Sequence, residues 1–195
     1  MLLDLIASET SPLSLSEEDV AALAACERGT ILLDVAARAD ATLIALTGTN
    51  GWITLSLRAG RLDGEQVLGA VGRPEGPSGA GSAGGIQRRV FDAEDALGLD
   101  DGRPHTIAVT VNETGTHLYA DGYECFSTTL TAFLAQIGLT DVRIDPDGIA
   151  AVTRLAAWNE PLSDRAVMAQ SLAATPLVQF AASELSARDA RRTGA

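Results

Sequence analysis

The sequence predicts an all-β protein, an antiparallel β-sandwich with one or two short peripheral helices. Three observations predict it. Apolar residues recur with a period of two along several short runs, among them GTILLDVAA, GWITLSLRAG and HTIAVTV, which is the pattern of half-buried strands. Turn residues separate the runs: Asn50-Gly51 between two strands is the strongest hairpin signal, and Asn112-Glu113-Thr114-Gly115 and Asp121-Gly122 bound the two arms of another hairpin. The segments between runs leave no room for the crossover helices that a parallel sheet needs.

Each element follows from local chemistry. Residues 2–6 read as a short edge strand. Ser16 precedes Glu17, Glu18 and Asp19, an N-cap followed by acids that meet the positive helix end, so a helix spans about 17–26. Ile31, Leu33 and Val35 share one strand face, as do Ile44 and Leu46. In the next strand Ile53, Leu55 and Leu57 face one side and Trp52, Thr54, Ser56 and Arg58 the other. Residues 69–85 are dominated by Gly, Pro and Ser and read as a long flexible loop. That loop lacks the Gly-Lys-Ser/Thr ending of a phosphate loop, and no strand-to-helix unit surrounds it. A short strand, IQRRVF, and an acidic segment follow. In the hairpin 105–122, Ile107, Val109 and Val111 point to the core. Tyr123 to Thr129 is a strand, TAFLAQIG a helical turn or loop, DVRID a strand, and 149–158 the last strong strand. Ser163 and Asp164 cap a helix running to about 173. Residues 1–175 form one sandwich domain, and 176–195 a C-terminal tail or linker.

Bulk properties exclude some functions. The net charge is −12 over 195 residues. This opposes nucleic-acid binding, which depends on basic patches that release counterions, and it opposes anionic membrane surfaces. All 14 basic residues are Arg; with the Ala and Gly content this suggests a bacterial source. The apolar start MLLDLIA is broken by Asp4 and lacks a basic leader region, so the chain reads as cytoplasmic as written, or extracellular if a leader was removed. Cys26 and Cys125 lie far apart and read as two reduced thiols, with one disulfide as the alternative.

Catalytic patterns are missing from the sequence. His105 and His117 are the only histidines. His105 reads as scaffold and His117 as exposed beside a turn. No HExxH or paired CxxC occurs, so no metal and no cofactor is expected. Asp92, Glu94, Asp95, Asp100 and Asp101 cluster without the spacing of a calcium loop and read as a solvated acidic turn. No strand carries the Glu-x-Asp-x-x-Glu pattern that would set two carboxylates across a glycosidic bond, so no catalytic residue is assigned. The polar face of Trp52, Thr54, Ser56 and Arg58 is the notable surface. Sugar sites pair an apolar platform with a few fixed polar groups, and Arg can hold a carboxylate through two parallel hydrogen bonds.

His105, Ala108, Thr110, Leu118, Tyr119, Asp121 and Gly122 resemble the "His-x-x-Ala-x-Thr … Leu-Tyr-x-Asp-Gly" segment of concanavalin A-like, or laminin-G-like, jelly rolls, with Pro104 where that family usually has Trp. Trp158 to Asp164 resembles its "Tyr-Asn-x-x-Leu-Ser-Asp" strand-to-helix junction. Three further stretches are similar to the lectin-like N-terminal domain of bacterial sialidases: Arg28 to Ile31, Leu43 to Leu46 followed by Trp52 to Leu55, and Phe133 to Leu139. The resemblance covers about residues 13–172. It implies a lectin-like, non-catalytic carbohydrate-binding module with sialosides among its candidate ligands. The implied ligand contacts are Trp52, Arg58, Glu65, Arg73, Tyr123 and Arg143. Two departures stand out. Gly60 to Val67 keeps Glu65 but has Val67 where that domain has Arg, and the loop expected to carry a second Arg is compressed to Asp145-Pro146-Asp147-Gly148, leaving Arg143 as the nearest substitute. The expected partner is a glycan or another polar small molecule. The alternative is a small cytoplasmic enzyme of cyclase or isomerase type, or an interaction module, with acid and base groups drawn from Arg58, Glu65 and the Asp145 region. Oligomeric state stays open.

Overall fold

A computed structural model describes residues 1–7, 13–69, 87–92 and 97–174. Among them run eleven strands and three helices: β1 (Leu3–Ile6), α1 (Glu17–Ala24), β2 (Gly29–Ala36), β3 (Ala41–Gly48), β4 (Gly51–Arg58), β5 (Arg61–Leu68), β6 (Gln87–Asp92), β7 (His105–Val111), β8 (Thr116–Ala120), β9 (Tyr123–Thr128), α2 (Leu134–Ile137), β10 (Leu139–Ile144), β11 (Ala151–Trp158) and α3 (Asp164–Ala174). The strands form two sheets, ordered β1-β11-β2-β7-β8-β9 and β10-β3-β4-β5-β6. Every neighbouring pair is antiparallel. This is the antiparallel β-sandwich that the alternating pattern predicts.

The two inner faces meet in one aliphatic core. Ile31, Leu33 and Val35 of β2 and Ile107, Val109 and Val111 of β7 line one side; Leu46, Ile53, Leu55, Leu57 and Leu62 line the other. All are at most 3% exposed. Burying an aliphatic side chain of this size is worth about 1.5–3 kcal/mol, so many such residues make up for the scarcity of aromatics.

Helices α1 and α2 cap this core. Ser16 caps α1: its Oγ accepts from the Asp19 amide (3.2 Å) while its own amide donates to the Asp19 carboxylate (2.9 Å). The helix ends at Ala24, two residues earlier than the sequence suggests, and the Cys26 amide closes the last turn onto the Leu23 carbonyl. TAFLAQIG contains a true helical turn, α2, so the described residues hold three helices. It starts where the Gln136 side chain accepts from the Phe133 amide (2.9 Å) and stops at Gly138, whose φ of 63° suits a residue without a Cβ.

The hairpin of β7 and β8 follows its turn chemistry. Asn112 Oδ1 accepts from the amides of Thr114 (2.8 Å) and Gly115 (3.1 Å), an Asx turn. Asp121 and Gly122 have φ of 51° and 85°, the left-handed pair of a tight hairpin turn. Gly122 is also demanded by packing, since a Cβ there would lie 2.8 Å from Met168 Cα of α3.

The two outer faces differ. On the six-stranded sheet, Leu32, Ala108, Tyr119, Ala156 and Trp158 point outward, and α3 covers them with Val167 while Leu162 packs alongside. On the five-stranded sheet, the described outward residues are mostly polar and line a concavity. Of the Gly-rich segment 69–85 only Gly69 is described. Residues 175–195, with the predicted tail, lie outside the described residues, as do Arg73, Glu94 and Asp95 of the sequence analysis.

Candidate functional site

The concavity has a volume of about 720 Å³. Strand alternation builds it. β4 contributes Trp52, Thr54, Ser56 and Arg58; β3 contributes Thr42, Ala45 and Thr47; β5 contributes Glu65; β10 contributes Asp141 and Arg143; the loop after β10 contributes Pro146 and Asp147. Register explains the neighbours: Thr54 stands opposite Ala45 and Glu65, Trp52 opposite Thr47, and Arg143 opposite Ala45. Directly opposite residues on antiparallel strands share a face.

Four of the six sequence-predicted contacts therefore converge: Trp52, Arg58, Glu65 and Arg143. Tyr123 does not join them. It opens β9 at the edge of the other sheet and is 69% exposed. Arg73 lies outside the described residues. Val67, at the position where the resemblance expects Arg, is buried at 1% exposure opposite Trp52.

The charged groups of the concavity hold one another. The Trp52 indole Nε1–H donates to Glu65 Oε2 at 2.9 Å, which fixes the ring. Arg143 Nε donates to Asp141 Oδ2 at 2.8 Å. Arg58 lies 4.0 Å from Asp40, and Asp40 also accepts from the Ala59 amide at 2.7 Å. Asp147 accepts from the Thr42 amide at 3.1 Å. Hydrogen bonding from the Thr42 side chain, then from its amide, helped by the positive charge of Arg58, holds the Asp147 carboxyl below its usual range. The Thr42 amide bond also ties the β10–β11 loop to the floor strand, while Asp145 Oδ1 orders the same loop by accepting from the amides of Ile149 and Ala150. Both guanidinium groups stay largely in water, with 58% and 67% of the Arg58 and Arg143 side chains exposed.

Sequence reasoning missed Thr42, Thr47, Asp141 and Asp147 as lining residues. Thr47 could have been found by counting back from the Asn50-Gly51 turn.

The remaining candidates are structural. His105 Nδ1 lies 2.9 Å from Asp121 and its Nε2 3.1 Å from Asp101. Burial opposes its protonation, but the two carboxylates together outweigh it and raise its pKa. With a carboxylate on each nitrogen, the ring ties the 99–103 turn to the hairpin. His117 is half-buried rather than exposed, because Thr114 (3.2 Å) and Glu124 (3.3 Å) flank its ring. The two cysteines are free. Burial pushes the Cys125 thiol up to about 11 and raises that of Cys26, which keeps both unreactive. Among the described residues no cluster of His, Cys, Asp or Glu could hold a metal ion, and no helix is long and apolar enough to cross a membrane.

No protein-family model matches the sequence, and no curated protein matches it. Solved structures do. The CBM40 module of the Ruminococcus gnavus IT-sialidase superposes with a TM-score of 0.61 at 18% identity, covering 87% of this chain and 98% of that one; it has also been solved bound to α2,3-sialyllactose. The leech intramolecular trans-sialidase gives 0.59 at 14% identity over 85% of this chain and 26% of its own. A botulinum neurotoxin DC binding domain, solved with SialylT, gives 0.51 at 13% identity over 77% of this chain and 36% of its own. The chain shares the antiparallel β-sandwich fold of these structures.

Proposed function

We propose that this chain is a carbohydrate-binding module that holds a glycan on the concave face of its five-stranded sheet without transforming it. One observation carries the reading: Trp52, Arg58 and Glu65 of the β4–β5 hairpin and Arg143 of the distant β10 converge on a single open concavity. That arrangement has the composition of a sugar site, an aromatic side chain beside a small set of oriented polar groups. The fold supports it, since structural neighbours include modules solved with bound sialyllactose. Sialosides therefore belong in the ligand panel beside neutral sugars. The absence of transformation is supported by the state of the acids. Glu65 holds the Trp52 indole, Asp141 holds Arg143, and Asp147 holds a backbone amide, so each has a local structural task.

Titration calorimetry with sialosides and neutral oligosaccharides tests the reading. Heat of binding is expected with at least one of them, and Trp52→Ala is expected to abolish it while leaving the circular dichroism spectrum intact. No heat with any sugar in the millimolar range would sink the proposal.

A further inference from the structure

The acidic and basic residues lining the concavity, among the described residues, are Arg58, Arg143, Glu65, Asp141 and Asp147. These are two cations and three anions among the described residues, and Asp40 beside Arg58 adds a fourth anion. Neither guanidinium faces the concavity without a carboxylate at hand. Arg143 is hydrogen-bonded to Asp141 at 2.8 Å, and Arg58 sits between Asp40 and the field of Asp147. A ligand carboxylate would compete with Asp141 for the Arg143 Nε–H and would meet the carboxylates of Asp40, Asp141 and Asp147 beside the two guanidinium groups. Like-charge juxtaposition across an interface is a recognised means of rejecting a partner. A hydroxyl faces no such conflict. It both donates and accepts, so two neighbouring hydroxyls can accept from a guanidinium and donate to its carboxylate without separating the pair. The floor repeats this chemistry with the uncharged hydroxyls of Thr42, Thr47, Thr54 and Ser56.

We infer that the concave face takes a neutral, polyhydroxylated sugar in preference to an acidic one, an inference that rests on the reading of this face as a sugar site. The acids Asp141 and Asp147 then set the specificity: Asp141 occupies the Nε–H of Arg143, and Asp147 adds negative charge at the rim.

Calorimetry on the whole chain tests this with lactose, cellobiose and maltose as neutral probes and α2,3-sialyllactose as the acidic one. A neutral probe is expected to bind most tightly, with sialyllactose weaker by about tenfold or more near 50 mM salt and the gap narrowing near 500 mM as the repulsion is screened. Asp141→Asn removes the competing charge from Arg143 while keeping its shape, and is expected to raise sialyllactose affinity by up to about fivefold, the worth of an exposed ion pair. Three results overturn the inference. If sialyllactose binds most tightly, the specificity is wrong and the sugar-site reading stands. If Asp141→Asn gains nothing, with its fold checked by circular dichroism, charge competition is not the cause. If none of the four sugars binds, the sugar-site reading falls and this inference falls with it.

Discussion

The two outer faces of the sandwich start from the same backbone and end differently. On the six-stranded sheet, Leu32, Ala108, Tyr119, Ala156 and Trp158 point outward and lie under α3. On the five-stranded sheet, Thr47, Thr54, Ser56, Arg58 and Glu65 point outward and border an open concavity. A strand with apolar residues on both faces must be covered twice, whereas one with a polar face need be covered only once. The chain after β11 answers the first requirement. It leaves the strand at Trp158, donates the Leu162 amide to Thr30 Oγ1 at 2.9 Å, and lays α3 over the sheet. The second face receives no such cover among the described residues. Of the two outer faces, the one under α3 thus adds to stability, while the polar groups across the molecule remain available to a ligand.

The strongest way to break this comparison is to truncate an aromatic on each face. Trp158, 6% exposed, is expected to cost about 3–5 kcal/mol of unfolding free energy when replaced by Ala, the usual cost of emptying a packed aromatic site. Urea denaturation reads it. Trp52→Ala, from a half-buried position, is expected to cost at most about half as much stability, because part of its surface already meets water. Its effect lies in binding instead: a loss of at least about tenfold in sugar affinity, or about 1.4 kcal/mol. Equal stability losses at both positions, with binding untouched at Trp52, would erase the distinction between a structural face and a binding face.

How much of this was legible in the sequence differs between the same two faces. The outward residues of β4 were readable, because strict alternation runs from Trp52 to Arg58 and the Asn50-Gly51 turn pins the register to β3. Counting fails at the far end of β3. A register shift between Thr42 and Ile44 lets both Leu43 and Ile44 be buried, so alternation no longer tells which face Thr42 occupies. The wall made by β10 was hidden for another reason. Asp141 and Arg143 pair with Thr47 and Ala45, about a hundred residues earlier, and no local pattern encodes that distance. On the covered face, the run Ile31-Leu32-Leu33 signals burial on both sides, yet nothing within it says that α3 is the cover. His117 was misjudged because its flanking groups, Thr114 and Glu124, come from a turn and from the neighbouring strand.

A smaller effect sharpens how α3 is fastened. The Tyr119 hydroxyl, deep in the covered face, donates to Asp164 Oδ1 at the first residue of α3 (2.8 Å). Burial and that nearby carboxylate raise its pKa well above the usual phenol value, so it remains a donor at any pH of interest. Tyr119→Phe keeps the ring and removes the donor. The expected cost is about 1 kcal/mol, the net worth of an ordinary hydrogen bond, read as a lowered melting temperature with unchanged sugar affinity.

The smallest expected effects are in pH, and the two sheets give them opposite signs. His105, at the start of β7 in the covered sheet, has its pKa raised above its ordinary 6.5 in the folded state. A raised value means that the folded protein holds this proton more tightly than the unfolded chain does. The stabilisation is complete below 6.5 and fades as pH climbs through the folded value. Asp147, on the rim of the open face, is shifted downward from its ordinary 3.8 by hydrogen bonds from the Thr42 side chain and amide. Its stabilisation is present above 3.8 and is lost as pH falls through the folded value. Comparing wild type with His105→Asn, the urea midpoints should differ more near pH 5.5 than near pH 8.5. Comparing wild type with Asp147→Asn, they should differ at neutral pH and converge in strong acid. A His105 difference that grows with pH would mean that Asp101 and Asp121 do not hold the protonated ring, and the turn would then be fastened to the covered sheet by packing alone.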